Sequence, residues 1–128
     1  MAVTTLYAYI LAIIYIALAF AVIRNRYRLK VSLGDGGYSE LNRVIRGHGN
    51  FSEYVPMGLL LMAIAEVGKA DATFIHVIGA TLLCGRLLHG YALTLTDGNM
   101  LARRTGMILT FASIAIGAGT CLLIGLRA

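Results

Sequence analysis

Residues 3–23 contain no charged side chain, and this run limits the folds open to the chain more than any other feature. At about 1.5 Å per helical residue, it reaches roughly 31 Å, the thickness of the hydrocarbon core of a bilayer. No Lys or Arg precedes the run, as one would in a secretory signal peptide. We therefore interpret residues 3–23 as a first membrane span.

The composition supports the same class of protein. The 128 residues are 59% hydrophobic and 13% charged, whereas a soluble domain is about a quarter charged. We expect a single all-α domain, 1–128, that forms an integral membrane four-helix bundle. The net charge of +5 is better explained by basic residues flanking membrane helices than by nucleic acid. Cys84 and Cys121 show no metal-binding spacing, so no metal site is expected.

Three further segments complete the predicted bundle. Residues 105–126 form an apolar span without charged residues, and residues 73–95 form another that is interrupted by Arg86 and His89. The second span, at about 48–67, is unusual because the apolar stretch between Glu53 and Glu66 covers only about 18 Å of helix. A crossing there must include polar residues, so RGHGNFSEYVP (46–56) is predicted to lie at the membrane boundary. SLGDGG (32–37) is predicted to form a turn.

The loops predict the orientation. The first and third loops carry most of the basic residues, namely Arg24, Arg26, Arg28, Lys30, Arg43, Arg46, Arg103 and Arg104. The second loop has only Lys69 and the tail only Arg127. The positive-inside rule then places the first and third loops in the cytoplasm and both termini outside. The small residues of the last span favour close helix packing, within a subunit or between subunits.

This topology brings polar groups from all four helices to one level. Arg43, Arg46, Asn50 and Glu53 fall within an arc of about 80° on a helix, and ionisable groups in membranes normally face a bundle interior or a wet cavity. Arg46 and the arginine of the third span could simply pair with Glu53 and stabilise the bundle. The excess of cations over acids instead favours a pocket for an anion.

The motif Arg46-Gly-His-Gly-Asn-Phe-Ser-Glu-Tyr-Val-Pro56 resembles the signature of the MAPEG family, the membrane-associated proteins of eicosanoid and glutathione metabolism. The similarity extends over nearly the whole chain and is greatest to the small bacterial members. It implies a homotrimer in a bacterial inner membrane. It also implies that glutathione, as co-substrate, is bound between subunits near the cytoplasmic side, with membrane lipids and a lipophilic small molecule as the other partners.

The resemblance also assigns roles to residues. The positions that it implies for glutathione binding are Arg26, Arg46, His48, Asn50, Glu53, Tyr54, Arg86 and His89. Arg104, with Arg103 beside it, matches the arginine that activates the thiol. The thiolate is the nucleophile, and lowering a thiol pKa by ~2 units needs roughly 2.7 kcal/mol of differential stabilisation. A guanidinium in a shielded site can supply this.

The implied activity is that of a glutathione transferase or peroxidase acting on lipophilic electrophiles or hydroperoxides. One departure bears on catalysis: Leu93 stands where catalytic members often carry a tyrosine, one turn after His89. The family also includes a non-enzymatic lipid-binding member, which gives the alternative of a non-catalytic ligand-binding protein. A small four-helix multidrug exporter is disfavoured because such exporters use an acidic residue in the first span, and residues 3–23 have none.

Overall fold

A computed structural model describes residues 1–128 as four α-helices without strands: α1 Ala2–Leu29, α2 Ser39–Val67, α3 Ala72–Thr94 and α4 Met100–Arg127. The prediction of an all-α chain with four helices is confirmed. Two helices begin at side-chain caps, because Asp71 accepts a hydrogen bond from the Thr73 N–H and Asn99 accepts one from the Ala102 N–H. Such caps satisfy backbone donors that a helix N-terminus leaves free.

The predicted turn in the first loop is confirmed. Gly34, Gly36 and Gly37 all have positive φ angles, a conformation that costs glycine little. Asp35 closes the turn, accepting hydrogen bonds from the Gly37 N–H and the Asn42 side chain, each at 2.9 Å. These bonds stabilise the carboxylate and hold the pKa of Asp35 below its ordinary value.

Helices α1 and α2 are antiparallel over almost their whole lengths. At one end Arg28 forms an ion pair with Glu40 at 3.1 Å. At the other, the Val3 and Thr4 N–H groups donate to the Glu66 carboxylate at 3.0 and 2.8 Å. A carboxylate at a helix N-terminus accepts hydrogen bonds from free backbone N–H groups and is stabilised by the helix dipole. These contacts hold the two helices in one register.

The four helices alternate in direction, with α2 and α3 in the middle. Both central helices contact α1 and α4, whereas α1 and α4 do not contact each other. The apolar core between them includes Leu11, Met62, Ile78 and Leu82, all buried. Only 27 of the 128 residues are buried, and this thin core leaves most apolar side chains on the outside, as a lipid-facing surface requires.

Three helices, α1, α3 and α4, are long and apolar enough to cross a membrane. Helix α2 is not among them because its N-terminal half carries the polar residues of the motif at 46–56. It nevertheless runs beside α1 from Glu40 to Glu66. Helix α2 therefore extends through the same thickness of the bundle as α1, which is apolar enough to cross a membrane.

Helices α3 and α4 approach most closely at Gly85 and Gly106. A Cβ on Gly106 would lie 2.7 Å from both the Gly85 oxygen and the His89 nitrogen. Small residues allow such backbone contact between membrane helices. The predicted packing role of the small residues in α4 is confirmed for Gly117, which is buried against Leu61. Gly119 and Gly125 instead lie on the outer surface, where a Cβ would meet no atom within 4 Å.

We predict that Gly106→Ala lowers the free energy of unfolding by about 1–3 kcal/mol, because the new methyl group collides with backbone rather than with a movable side chain. Gly119→Ala is the matched control on the same helix. It removes a glycine that touches nothing, and it should be neutral or stabilising by up to ~1 kcal/mol. Denaturant unfolding of both variants in detergent micelles checks this, and equal stabilities would contradict the close contact.

Candidate functional site

Arg86 is the centre of the candidate site and is only 1% exposed. Its guanidinium lies between α2, α3 and α4 because the α3–α4 contact at Gly85 brings the two backbones together beside it. The Nε atom donates to Thr110 Oγ1 at 3.0 Å, and Nη1 donates to Asn50 Oδ1 at 2.6 Å. The third contact is from Nη2 to the Met107 sulfur at 3.4 Å. The Arg86 guanidinium therefore bonds to one residue of α2 and two of α4.

All these partners are neutral. The nearest aromatic group is Tyr54, whose ring centroid lies 5.9 Å from the guanidinium carbon of Arg86 and whose edge packs against Phe111. A cation over an aromatic face gains some electrostatic stabilisation, but no carboxylate balances the charge. The alternative that Arg46 and Arg86 pair with Glu53 is wrong for Arg86 but correct for Arg46. A buried cation held by neutral groups keeps its capacity to attract an anion.

Arg46 and Glu53 form a separate pair on the outer surface of α2. Their closest atoms are 3.4 Å apart, and the two side chains are 51% and 53% exposed. The expectation that Arg46, Asn50 and Glu53 all face one interior is therefore wrong for a single chain. Asn50 and Glu53 differ by about 60° around the helix. The boundary of the surface of α2 that contacts α3 and α4 runs between them. Asn50 lies inside that boundary and Glu53 outside.

The two histidines of the predicted site occupy different environments. The His48 ring stacks on Tyr15 of α1, with 4.9 Å between centroids, and its Nε2 atom is buried without a hydrogen-bond partner. It faces away from Asn50 because two residues correspond to about 200° around a helix. His89 is buried at the α3–α4 contact, against Gly106. Of the two, only His89 lies on the same helix face as Arg86.

The remaining predicted site residues lie at the same end of the bundle but apart from Arg86. Arg26 is held by the first loop, because its Nη1 donates to the Gly34 oxygen at 2.7 Å and the Val31 oxygen at 3.4 Å. Arg103 and Arg104 are exposed at the start of α4, and neither forms an ion pair within the chain. These groups thus share one end of the bundle, but one chain divides them among different faces.

Sequence reasoning missed Thr110 and Met107, the partners that α4 provides to Arg86. Thr110 was counted only as part of an apolar span. A signal was present, since Gly106, Thr110, Ser113 and Gly117 recur at helical spacing and define the face of α4 that packs inward. Small and hydroxyl residues at that spacing indicate a helix–helix contact.

Known proteins resemble this chain over most of its length. The model of the MAPEG family matches residues 4–123. The chain is 38% identical over 114 residues to "Inner membrane protein YecN" of Escherichia coli strain K12, an alignment that covers 89% of this chain and 86% of that protein. The protein of the same name from Escherichia coli O6:H1 gives the same values. That name describes a location and no reaction.

We predict that Thr110→Val lowers the free energy of unfolding by about 1–3 kcal/mol, because Arg86 Nε loses its acceptor in a buried site. Thr120→Val is the matched control. Both threonines donate to the carbonyl four residues earlier, each at 2.8 Å, but only Thr110 accepts from Arg86. Thr120→Val should stay within ~0.5 kcal/mol of the parent chain. Equal losses in the two variants, measured by unfolding in micelles, would contradict a stabilising role for the Arg86 contact.

Proposed function

The chain is an integral membrane protein of the MAPEG family, and we propose that it is a glutathione-dependent transferase or peroxidase acting on lipophilic electrophiles or hydroperoxides. The observation that carries this proposal is the buried guanidinium of Arg86, which has hydrogen-bond acceptors but no acidic partner. Glutathione has two carboxylates and one ammonium. Its surplus negative charge suits a site where cations exceed acids.

The pair on α2 supports the binding of a zwitterion. Arg46 and Glu53 meet at 3.4 Å and are both about half exposed, and exposed pairs of this kind contribute little to stability. Either partner can therefore exchange the other for a ligand group at low cost. Arg46 would take a carboxylate, Glu53 the ammonium, and Asn50 and Tyr54 would add hydrogen bonds from the same helix. Bound glutathione would supply the reacting thiol.

Arg104, with Arg103 beside it, is the group we propose to stabilise the thiolate. Both are exposed at the start of α4 and neither is neutralised by an acid of its own chain. A guanidinium next to a thiol favours the anion, which is the nucleophile. The lipophilic partner would reach the site sideways from the bilayer.

We also propose a homotrimer, as the resemblance to the MAPEG family implies, and the positions of two arginines support a site shared between subunits. Helices α1 and α4 do not contact each other, so Arg26 and Arg104 lie on opposite sides of the central α2–α3 pair. A site that uses both must draw them from neighbouring subunits. We also propose that α2 crosses the membrane with the other helices and that the basic end faces the cytoplasm, with both termini outside. Sedimentation of the detergent complex, matched for detergent density, should give three copies.

We predict that the purified protein binds glutathione in detergent and that Arg46→Ala weakens binding at least ~tenfold, because a charged hydrogen bond is lost. Arg127→Ala is the control, since Arg127 is an exposed arginine at the opposite end of the bundle. Glu53→Gln should weaken glutathione more than an analogue that lacks the amino group. Equal losses for the two ligands would contradict the ammonium contact, and no binding at millimolar glutathione would contradict the proposal as a whole.

The non-catalytic alternative is favoured by one observation. Leu93 is buried against Gly47, so no hydroxyl stands one turn after His89. Turnover separates the two proposals. If the chain is an enzyme, it should conjugate glutathione to a generic aromatic electrophile, and Arg104→Ala should lose the ultraviolet absorbance of the thiolate while retaining binding. Binding without turnover or thiolate absorbance in the parent chain would establish the ligand-binding alternative.

A further inference from the structure

A small polar pocket lies at the basic end of the bundle, on the side away from α4. Its volume is about 290 Å³. It is lined by the end of α1, the start of α2 and the segment that follows α3, including Arg24, Arg43, Thr94 and Asp97. None of these residues belongs to the glutathione site proposed above.

The pocket is lined by two arginines and two acids, and both acids are already paired. Arg43 forms an ion pair with Asp97 at 3.3 Å, and Glu40 is paired with Arg28. Arg24 is exposed and forms no ion pair or hydrogen bond within the chain. Two more polar atoms beside the pocket, Arg43 Nε and Thr94 Oγ1, are buried without a partner. Because these two atoms are buried, Arg24 provides the accessible unpaired donors of the pocket.

The polar pocket adjoins an apolar groove between α1 and α3. The groove has a volume of about 700 Å³, and Arg24, Thr94 and Leu95 line both it and the pocket. Along α1 it runs from Ile13 to Arg24, a rise of about 16 Å. This is close to half of the ~30 Å hydrocarbon core, so the groove has the length of one leaflet.

We propose that the pocket and groove together bind one anionic phospholipid. The phosphodiester accepts hydrogen bonds from Arg24, and one acyl chain fills the groove along α1 and α3. Basic pockets between membrane helices recognise anionic headgroups in this way. The charge complementarity lies in Arg24, the one guanidinium of the pocket that has no acid. Arg86 also lines the groove, but its guanidinium is bonded to α2 and α4, so the lipid site does not require bound glutathione.

A phospholipid fits this site better than a free anion does. A soluble phosphate would use only the polar pocket and would leave the apolar groove without an occupant. The groove and the pocket meet at Arg24, which is where the ester link of a lipid joins its charged and apolar parts. The site therefore suits a ligand that carries a charged headgroup and an apolar chain in one molecule.

The test uses the full chain in phosphatidylcholine vesicles with trace spin-labelled lipid. Electron paramagnetic resonance measures the lipid immobilised by the protein. We expect spin-labelled phosphatidylglycerol to be preferred over spin-labelled phosphatidylcholine, and Arg24→Gln to reduce that preference about fivefold, the effect of one basic residue near a membrane surface. Arg127→Gln, at the other end of the bundle, should keep the preference.

A second pair of variants tests the groove. Ala17 lines it and is exposed, so Ala17→Phe should fill it and reduce the immobilised fraction of both lipids. Ala115→Phe places the same side chain on the exposed face of α4 and should have no such effect. Far-ultraviolet circular dichroism verifies that all variants are folded.

Three results would overturn the proposal. The first is equal immobilisation of the two lipids by the parent chain. The second is displacement of the labelled lipid by inorganic phosphate beyond the effect of chloride at equal ionic strength, because the site would then bind a free anion. The third is an Ala17→Phe variant that leaves the lipid signal unchanged but alters the number of subunits, because a second copy of the chain would then cover the groove.

Discussion

The structure depends on one buried charge, the guanidinium of Arg86. Its partners come from two other helices, Asn50 on α2 and Thr110 on α4, so three of the four helices meet at this side chain. Burial of an arginine among neutral groups is costly unless its donors are satisfied, and here three of them are engaged. The position of α3 relative to α2 and α4 at this level is therefore specified by hydrogen bonds as well as by apolar contact.

The close contact of α3 and α4 is what makes this arrangement possible. Gly85 and Gly106 allow the two backbones to touch, and Arg86 follows Gly85 directly in the chain. A larger residue at either glycine would move Thr110 away from the guanidinium. Packing and polar chemistry are thus specified by the same few residues, and this explains why small residues and a buried arginine occur together in an otherwise apolar pair of helices.

The sequence predicts the number of helices and the level of the polar groups well, because both depend on long apolar runs and on loop charges. It predicts less well which neighbouring helix, or which outer surface, each side chain faces. The arc of about 80° that joins Arg43, Arg46, Asn50 and Glu53 is correct as helix geometry, but the edge of a helix contact crosses it. Where that edge lies depends on the glycines of α3 and α4, which the apolar pattern alone does not distinguish from other small residues. Thr110 was missed for the same reason.

The arginines at the basic end of the bundle do not form one positive patch. They differ in whether they have partners within the chain. Several are already neutralised or bonded, namely Arg28 by Glu40, Arg43 by Asp97, Arg46 by Glu53 and Arg26 by loop carbonyls. Those without an acidic or backbone carbonyl partner are Arg24, Arg86, Arg103 and Arg104. Because α1 does not contact α4, Arg24 lies on one side of the central helices and the α4 arginines on the other. A count of loop charges predicts orientation but treats all of these residues alike, whereas the structure separates two sets of unpaired guanidinium groups on two sides of the bundle.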